Sequence, residues 1–212
     1  MGRAETDKIQ VVLFDLGGVL VELQGVPTML GWLGNRATTE ELWRMWLSSP
    51  AVREFETGRI GPDKFAAQVI REMSLPVNSE DFLTTFASWV TGLYPGALEL
   101  VHSIPPEFVR ATLANTSDLH WPLIMSHPGL EDAFHRHFPS HLTGKIKPDQ
   151  EAFQHVIATL GCSPDSVFFL DDNRLNVDAA RRAGMHAAHV RGPAEARNAL
   201  DAAGILRKSP TI

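Results

Sequence analysis

The sequence predicts an α/β protein: a doubly wound parallel sheet interrupted by a long helical insertion. Three observations carry that expectation. Apolar runs alternate with helical periods from about residue 96 onward; Ser166-Val-Phe-Phe-Leu170 is nearly continuous in apolar residues, as in a strand buried on both faces; and residues 26–91 read as helix throughout. A chain of 212 residues with 44% hydrophobic and 21% charged residues can bury a substantial core.

The elements follow in order. Gln10-Val-Val-Leu-Phe-Asp15 is a short apolar run ending in an acid and broken by Gly17-Gly18, so it reads as a buried strand followed by a tight loop. In the insertion, Thr38 followed by Glu41 is a capping box ahead of Leu42, Trp43 and Trp46. Pro62 fits a first helical position, with Phe65, Val69, Ile70 and Met73 on one face. Asn78-Ser79 starts a further helix carrying Phe82, Phe86 and Val90. After Pro95 come a helix over about 96–103, a strand over 108–114, helices near 119–126 and 131–135, and a short strand near 138–142. A helix after Pro148 precedes the 166–170 strand. A helix near 174–184, a strand near 186–190 and a last helix from about 193 complete the pattern. The division expected is a Rossmann-like core of residues 1–22 and 94–212, with residues 23–93 as an inserted helical cap.

In doubly wound sheets, ligands bind beyond the carboxyl ends of the strands. The residues there are Asp15-Leu16-Gly17-Gly18 after the first strand and Asn115-Thr116-Ser117-Asp118 after the second. Lys147-Pro148 follows the short strand, and Asp171-Asp172-Asn173 follows the 166–170 strand. Singly, Asp15 reads as a turn residue, Asp171-Asp172 as a helix cap and Lys147 as a solvated surface residue. Together they are specific. Three carboxylates brought close repel, and a divalent cation resolves this; oxygen ligands favour Mg²⁺ over zinc. The cation and Lys147 make a positive pocket for a phosphate, which the Gly17-Gly18 backbone can approach closely. Asp15 is then placed to attack phosphorus in line.

Composition excludes other classes. The net charge of −6 and the lack of a basic run argue against nucleic acid or an anionic membrane as partner. No apolar run approaches a membrane span, and the polar start MGRAETDKIQ is not a secretory signal, so the expected setting is cytoplasmic. Met1-Gly2 with Thr6 fits the loose myristoylation pattern by coincidence of two positions. The lone Cys162 forms no intrachain disulfide. His135, His137 and His141 form an H-x-H-x-x-x-H cluster that reads as a solvated edge rather than a metal site. Trp32, Trp43, Trp46 and Trp89 read as core of the insertion, with stacking on a substrate as the other use. Glu22 and Glu56 could project toward the pocket from the first loop and the cap, but read more simply as surface or capping acids.

The strand-end residues resemble the motifs of the haloacid dehalogenase superfamily of aspartate-nucleophile phosphatases, over about residues 10–192. Phe14-Asp15-Leu16-Gly17-Gly18-Val19-Leu20 is similar to its first motif, Ala111 to Thr116 to its second, Lys147-Pro148 to its third and Phe168 to Asn173, continuing to Asn176, to its fourth. Glu56-Thr-Gly58-Arg-Ile60 is similar to a segment of the subgroup with a small helical cap, and the nearest subgroup is the phosphatases of α-glucose 1-phosphate. The resemblance implies a Mg²⁺-dependent phosphohydrolase of a small phosphate ester, a sugar phosphate by subgroup. Asp15 would be the nucleophile. Asp15, Asp172 and the Gly17 carbonyl would hold Mg²⁺, with Asp171 acting directly or through water. Lys147 would pair with phosphate and Asp15, and Gly17, Gly18, Asn115 and Thr116 would contact phosphate or orient the substrate.

Two positions depart from the family pattern. Gly17 stands where most of these phosphatases carry a second Asp as general acid/base, a group worth about 10²–10⁴ in rate. Ala114 stands where a Ser or Thr usually donates to phosphate, and Thr116 is the nearby hydroxyl. The alternatives these leave are a catalytically weak metal- and anion-binding protein, and a metal-free dehalogenase-type hydrolase, against which the Asp171-Asp172 pair counts.

Overall fold

A computed structural model describes residues 9–206; the myristoylation pattern at Met1-Gly2-Thr6 lies outside the described residues. Five strands form the main sheet: β1 (Val11–Phe14), β4 (Val109–Ala114), β5 (Arg136–Pro139), β6 (Val167–Asp171) and β7 (His186–His189), in the order β5-β4-β1-β6-β7. All four pairings are parallel. The core helices are α6 (Ala97–Ser103), α7 (His120–Met125), α8 (Ser140–Thr143), α9 (Gln150–Leu160), α10 (Arg174–Arg182) and α11 (Gly192–Ala202).

The central strand shows why its sequence is uniformly apolar. Val12 and Phe14 pack into one layer with Leu100, Val101 and Leu200 from α6 and α11. Val11 and Leu13 pack into the other with Phe153 and Val156 of α9 and Ala179 and Ala180 of α10. A strand covered on both faces has no polar face to show, so period-2 alternation disappears.

Between β1 and β4 lie α1 (Gly25–Trp32), α2 (Thr39–Ser48), α3 (Pro50–Glu56), α4 (Pro62–Met73) and α5 (Ser79–Ala87). Their starts are those expected. Thr38 and Glu41 form the capping box, with the Glu41 N–H donating to Thr38 Oγ1 at 3.2 Å and the Thr38 N–H to Glu41 Oε2 at 2.7 Å. Pro62 opens α4, and Asn78 caps α5 by accepting from the Asp81 N–H at 2.9 Å. These helices close over an aromatic core of their own. Phe55 and Phe65 stack at 4.2 Å and 8°, with Trp46, Phe82 and Phe86 around them. Phe65 is fully buried at the centre. Phe65→Ala is therefore expected to cost about 3–5 kcal/mol, read as a lowered midpoint in urea denaturation.

Three expectations change. Residues 90–93, taken as the end of the helical stretch, form strand β3 (Val90–Leu93), antiparallel to β2 (Val21–Leu23). The two connections to the insertion thus run side by side as a ribbon, held also by Tyr94 N–H to the Leu20 carbonyl and Gln24 N–H to the Trp89 carbonyl, both at 2.9 Å. The helix expected near 131–135 is a run of turns that buries Ala133 and Phe134, the latter edge-on to Phe14. The strand expected near 138–142 is β5, which ends at Pro139 and passes directly into α8. No helix among the described residues is long and apolar enough to cross a membrane.

Candidate active site

The register of the sheet assembles the acids. Phe14 lies opposite Leu170, and the Asp15 N–H donates to the Leu170 carbonyl at 2.8 Å. Asp15 and Asp171 therefore leave adjacent strands at the same level. Lys147, after α8 and fully buried, reaches between them: its Nζ lies 2.9 Å from Asp15 Oδ1 and 2.6 Å from Asp171 Oδ2. Asp15, Asp171 and Asp172 each offer a carboxylate oxygen, and these three atoms lie within 4.8 Å of one another.

Each member is held. Asp15 Oδ1 accepts from the Leu16 N–H at 2.7 Å. Asp171 spends both oxygens on protein donors: Oδ1 on the Asn173 N–H at 2.8 Å, Oδ2 on Lys147, and both on Asn176 Nδ2 at 3.1 Å. Gly18 presses against Asp172: a Cβ there would come within 2.3 Å of Asp172 Oδ2, and its φ of +73° suits glycine. Its carbonyl accepts from the Gly192 N–H at 2.9 Å, which ties the loop to the start of α11.

Asn115 sits where expected but its carboxamide is engaged. Its Nδ2 donates to the Lys147 carbonyl and its Oδ1 accepts from the Lys147 N–H, both at 2.9 Å. This side chain fixes the lysine's backbone, a different task from the phosphate contact or substrate orientation expected of it. Thr116 differs in the opposite sense. Its backbone exchanges hydrogen bonds with Ser140 Oγ at 2.9 and 3.0 Å, whereas its buried Oγ1 has no partner and the residue lines the cleft. Ser140 was not singled out in the sequence; nothing local marks a serine whose partner lies 24 residues upstream.

Above the acids opens a cleft of about 310 Å³. Its floor is Asp15, Gly17, Gly18, Asn115, Thr116, Lys147 and Asp172. Its upper wall comes from α1, α2, α5 and their connections: Leu23, Val26, Met29, Leu42, Trp43, Trp46, Leu47, Phe86 and Trp89. Glu56, read as a surface acid, is buried and lines this cleft; Glu22 is not among the lining residues. Gly58 seats the end of α3 on the core, close enough to the His141 carbonyl that a Cβ would meet it at 2.5 Å. The histidine cluster is structural at two of its positions: His135 Nδ1 accepts from the Arg110 N–H at 3.0 Å, and His137 bonds Thr112 Oγ1 at 2.9 Å and the Glu131 carbonyl at 3.2 Å.

The electrostatics follow from three carboxylates facing one ammonium. Burial raises the Asp15 carboxyl to about 8; Lys147 opposes this, while Asp171 and Asp172 add to it. Burial also lifts Asp172 to about 6, helped by Asp171. For Lys147, burial works downward, but Asp15 and Asp171 outweigh it and hold the ammonium up to about 12. The 2.6 and 2.9 Å contacts are those of a charged lysine, which satisfies two acids and leaves negative charge over. A hard cation fits that remainder: the donors are all oxygens, close together and partly enclosed.

The sign for stability follows. Asp15, Asp172 and Glu56 bind protons more tightly folded than unfolded, so the metal-free protein loses stability as pH rises from about 4 through about 8. Mg²⁺ at about 100 times its Kd is expected to raise Tm by about 5–10 °C at pH 8, with a much smaller rise at pH 5, read by differential scanning fluorimetry.

Comparisons with known proteins find relatives over most of the chain. A family model described as haloacid dehalogenase-like hydrolase matches residues 9–184. A sesquiterpene phosphatase of Aspergillus oryzae is 27% identical over 186 residues, covering 85% of this chain and 89% of that one. An (S)-2-haloacid dehalogenase of Xanthobacter autotrophicus is 25% identical, covering 86% and 75%. Among solved structures, a HAD family enzyme of Bacteroides thetaiotaomicron, an aspartate-to-alanine mutant in complex with magnesium and inorganic phosphate, superposes with a TM-score of 0.63 at 25% identity, covering 85% of this chain and 93% of that one.

Proposed function

This chain belongs to the haloacid dehalogenase-like hydrolases, and from that premise we propose that it is a Mg²⁺-dependent phosphohydrolase of small phosphate monoesters. The observation that carries the reading is the convergence of the Asp15, Asp171 and Asp172 carboxylates at the carboxyl edge of the sheet, the first two of them on Lys147. Asp15, Asp172 and the Gly17 carbonyl would hold Mg²⁺, which when bound supplies positive charge to offset both the acids and the phosphoryl oxygens. The magnesium and phosphate in the Bacteroides enzyme support the same pairing.

The residues of the chain divide the work. Asp15 is the nucleophile, its carboxylate attacking phosphorus in line to form an aspartyl-phosphate that water then hydrolyses. Lys147 draws the phosphate toward Asp15 and neutralises charge as the bond forms. Asp171 holds Lys147 in place, and with both oxygens already accepting from protein donors it would support a bound cation without ligating it directly. Asn115 positions Lys147, and the unpartnered Thr116 hydroxyl supplies the phosphate contact that Ala114 lacks. The helical layer is the cap that excludes water from the cleft.

The upper wall bears on the ester. Its aliphatic and indole surfaces suit an apolar or aromatic carbon body, and the sesquiterpene phosphatase among the relatives is named for such a body. A sugar ester, the class suggested by the subgroup resemblance, would find its hydroxyl partners off this apolar surface, among Thr39, Glu56, Tyr94, Ser117, His120 and Arg191 of the same cleft. A metal-free dehalogenase reading would leave Asp172, already disfavoured in its charged form by burial and by Asp171, with only the partial offset of Lys147 and Arg191. The test is phosphate release from farnesyl phosphate, phenyl phosphate and glucose 1-phosphate, with Mg²⁺ and with EDTA. Release that needs Mg²⁺ and favours the apolar esters is expected. No release from any ester, alongside measurable Mg²⁺ binding, would replace this reading with the metal-binding protein.

A further inference from the structure

Glu56 is a buried acid in a wall that is otherwise largely apolar. Its Oε1 accepts from Trp46 Nε1 at 3.2 Å, and its Oε2 has no hydrogen-bond partner. The residue lines the same cleft as Asp15 and Lys147 and feels the charge of Lys147. A buried, unpartnered carboxyl oxygen costs free energy, so its presence asks for a ligand-side partner. The floor lacks such a group where one is needed. At Gly17 there is no carboxyl, and Leu23 takes the space: a Cβ on Gly17 would lie 2.6 Å from Leu23 Cδ1.

We propose that Glu56 is the proton-transfer residue of this site, a carboxyl delivered from the helical cap in place of the one absent at position 17. The assignment rests on the phosphohydrolase reading above. In the first step Asp15 forms a bond to phosphorus as the bond from phosphorus to the leaving oxygen breaks; that oxygen takes its proton from Glu56, giving the free alcohol and a Glu56 carboxylate. In the second step a water oxygen bonds to phosphorus and the bond from phosphorus to Asp15 breaks. The water's proton returns to Glu56, and inorganic phosphate and the Asp15 carboxylate are left.

The surroundings suit both halves of the cycle. Burial lifts the Glu56 carboxyl to about 7, against the Trp46 hydrogen bond and Lys147, so both protonation states are accessible near neutrality. His120, which also lines the cleft, is committed: its Nε2 donates to the Phe86 carbonyl at 2.7 Å and its ring stacks on Phe86 at 4.2 Å.

The test is Glu56→Gln in the full chain with Mg²⁺. The amide oxygen can still accept from Trp46 Nε1, and an unchanged circular dichroism spectrum with a Tm no lower than wild type confirms the fold. With an alkyl phosphate, whose leaving oxygen needs a proton, kcat is expected to fall by about 10²–10⁴. With 4-nitrophenyl phosphate, whose leaving group needs none, the variant is expected to release a burst of about one nitrophenolate per site. Slow turnover follows, because the aspartyl-phosphate then waits for unassisted water. Equal losses on both esters with no burst, or no loss on either, would overturn the assignment while wild-type activity still upheld the parent reading. If the wild type releases no more phosphate than Asp15→Asn from any ester, the parent reading fails and takes this one with it.

Discussion

Asp15→Asn is expected to end phosphate release while leaving the fold standing. Loss of a covalent nucleophile acts on the scale of 10⁶ in kcat, so activity should drop below detection on every ester. Stability should move the other way. Asparagine matches aspartate in size, and its Oδ1 can still accept from the Leu16 N–H and from Lys147. What it removes is a carboxyl that burial and two neighbouring acids already disfavour in its charged form. Above pH 7 the variant should therefore melt at the wild-type temperature or a few degrees higher, and the Mg²⁺-induced rise should shrink because one donor has lost its charge. Opposite movement of activity and Tm is the signature of a site where charges are held together for chemistry rather than for stability. An Asp15→Asn protein that keeps more than about a hundredth of wild-type kcat removes the nucleophile from the mechanism.

What the sequence made legible divides by range. β1 and β6 could be read because a strand covered on both faces is apolar at every position, and the acids after them because a polar cluster ending such a run stands at the sheet's edge. Thr38, Pro62 and Asn78 were readable because a helix start is a local event. The ribbon was not: β2 has three residues, β3 four, and about 70 residues separate them, so neither shows a period and neither names its partner. Glu131-Asp132-Ala133-Phe134 carried helical spacing, yet Ala133 and Phe134 meet the core from turns, since burial and not period decided their placement. Glu56 shows the same limit at the site. At the end of a short helix, before Thr57-Gly58, it has the context of a surface acid. Only the folded chain brings Trp46 to one of its oxygens and the cleft to its side. Asn115 was found for the right loop, but its pairing with Lys147 depends on the residue 32 positions away.

Removing Lys147 tests the arrangement from its other side. Lys147→Met keeps much of the apolar stem and deletes the ammonium, which lies between Asp15 and Asp171 and 5.5 Å from the centre of the Phe169 ring. Breaking a buried ion pair by losing one partner costs about 3–5 kcal/mol, because the remaining charge is left uncompensated. Here two carboxylates are left, and the protein can escape part of the cost by protonating Asp15. The loss should therefore depend on pH. Without the lysine the Asp15 carboxyl, already raised by burial, holds its proton more tightly still, so the variant should approach wild-type stability near pH 4–5 and fall progressively behind as pH climbs past 7. Mg²⁺ should restore part of the lost stability at pH 8, since it supplies positive charge to the same carboxylates. It should not restore catalysis, because the ammonium also orients and neutralises the phosphate; a fall of about 10²–10³ in kcat is expected to persist at saturating Mg²⁺. Thermal melts across pH with and without Mg²⁺ separate the two roles. A uniform destabilisation at every pH would mean that Lys147 matters through its packing alone, and the shared-cation account of the three acids would then have to be abandoned.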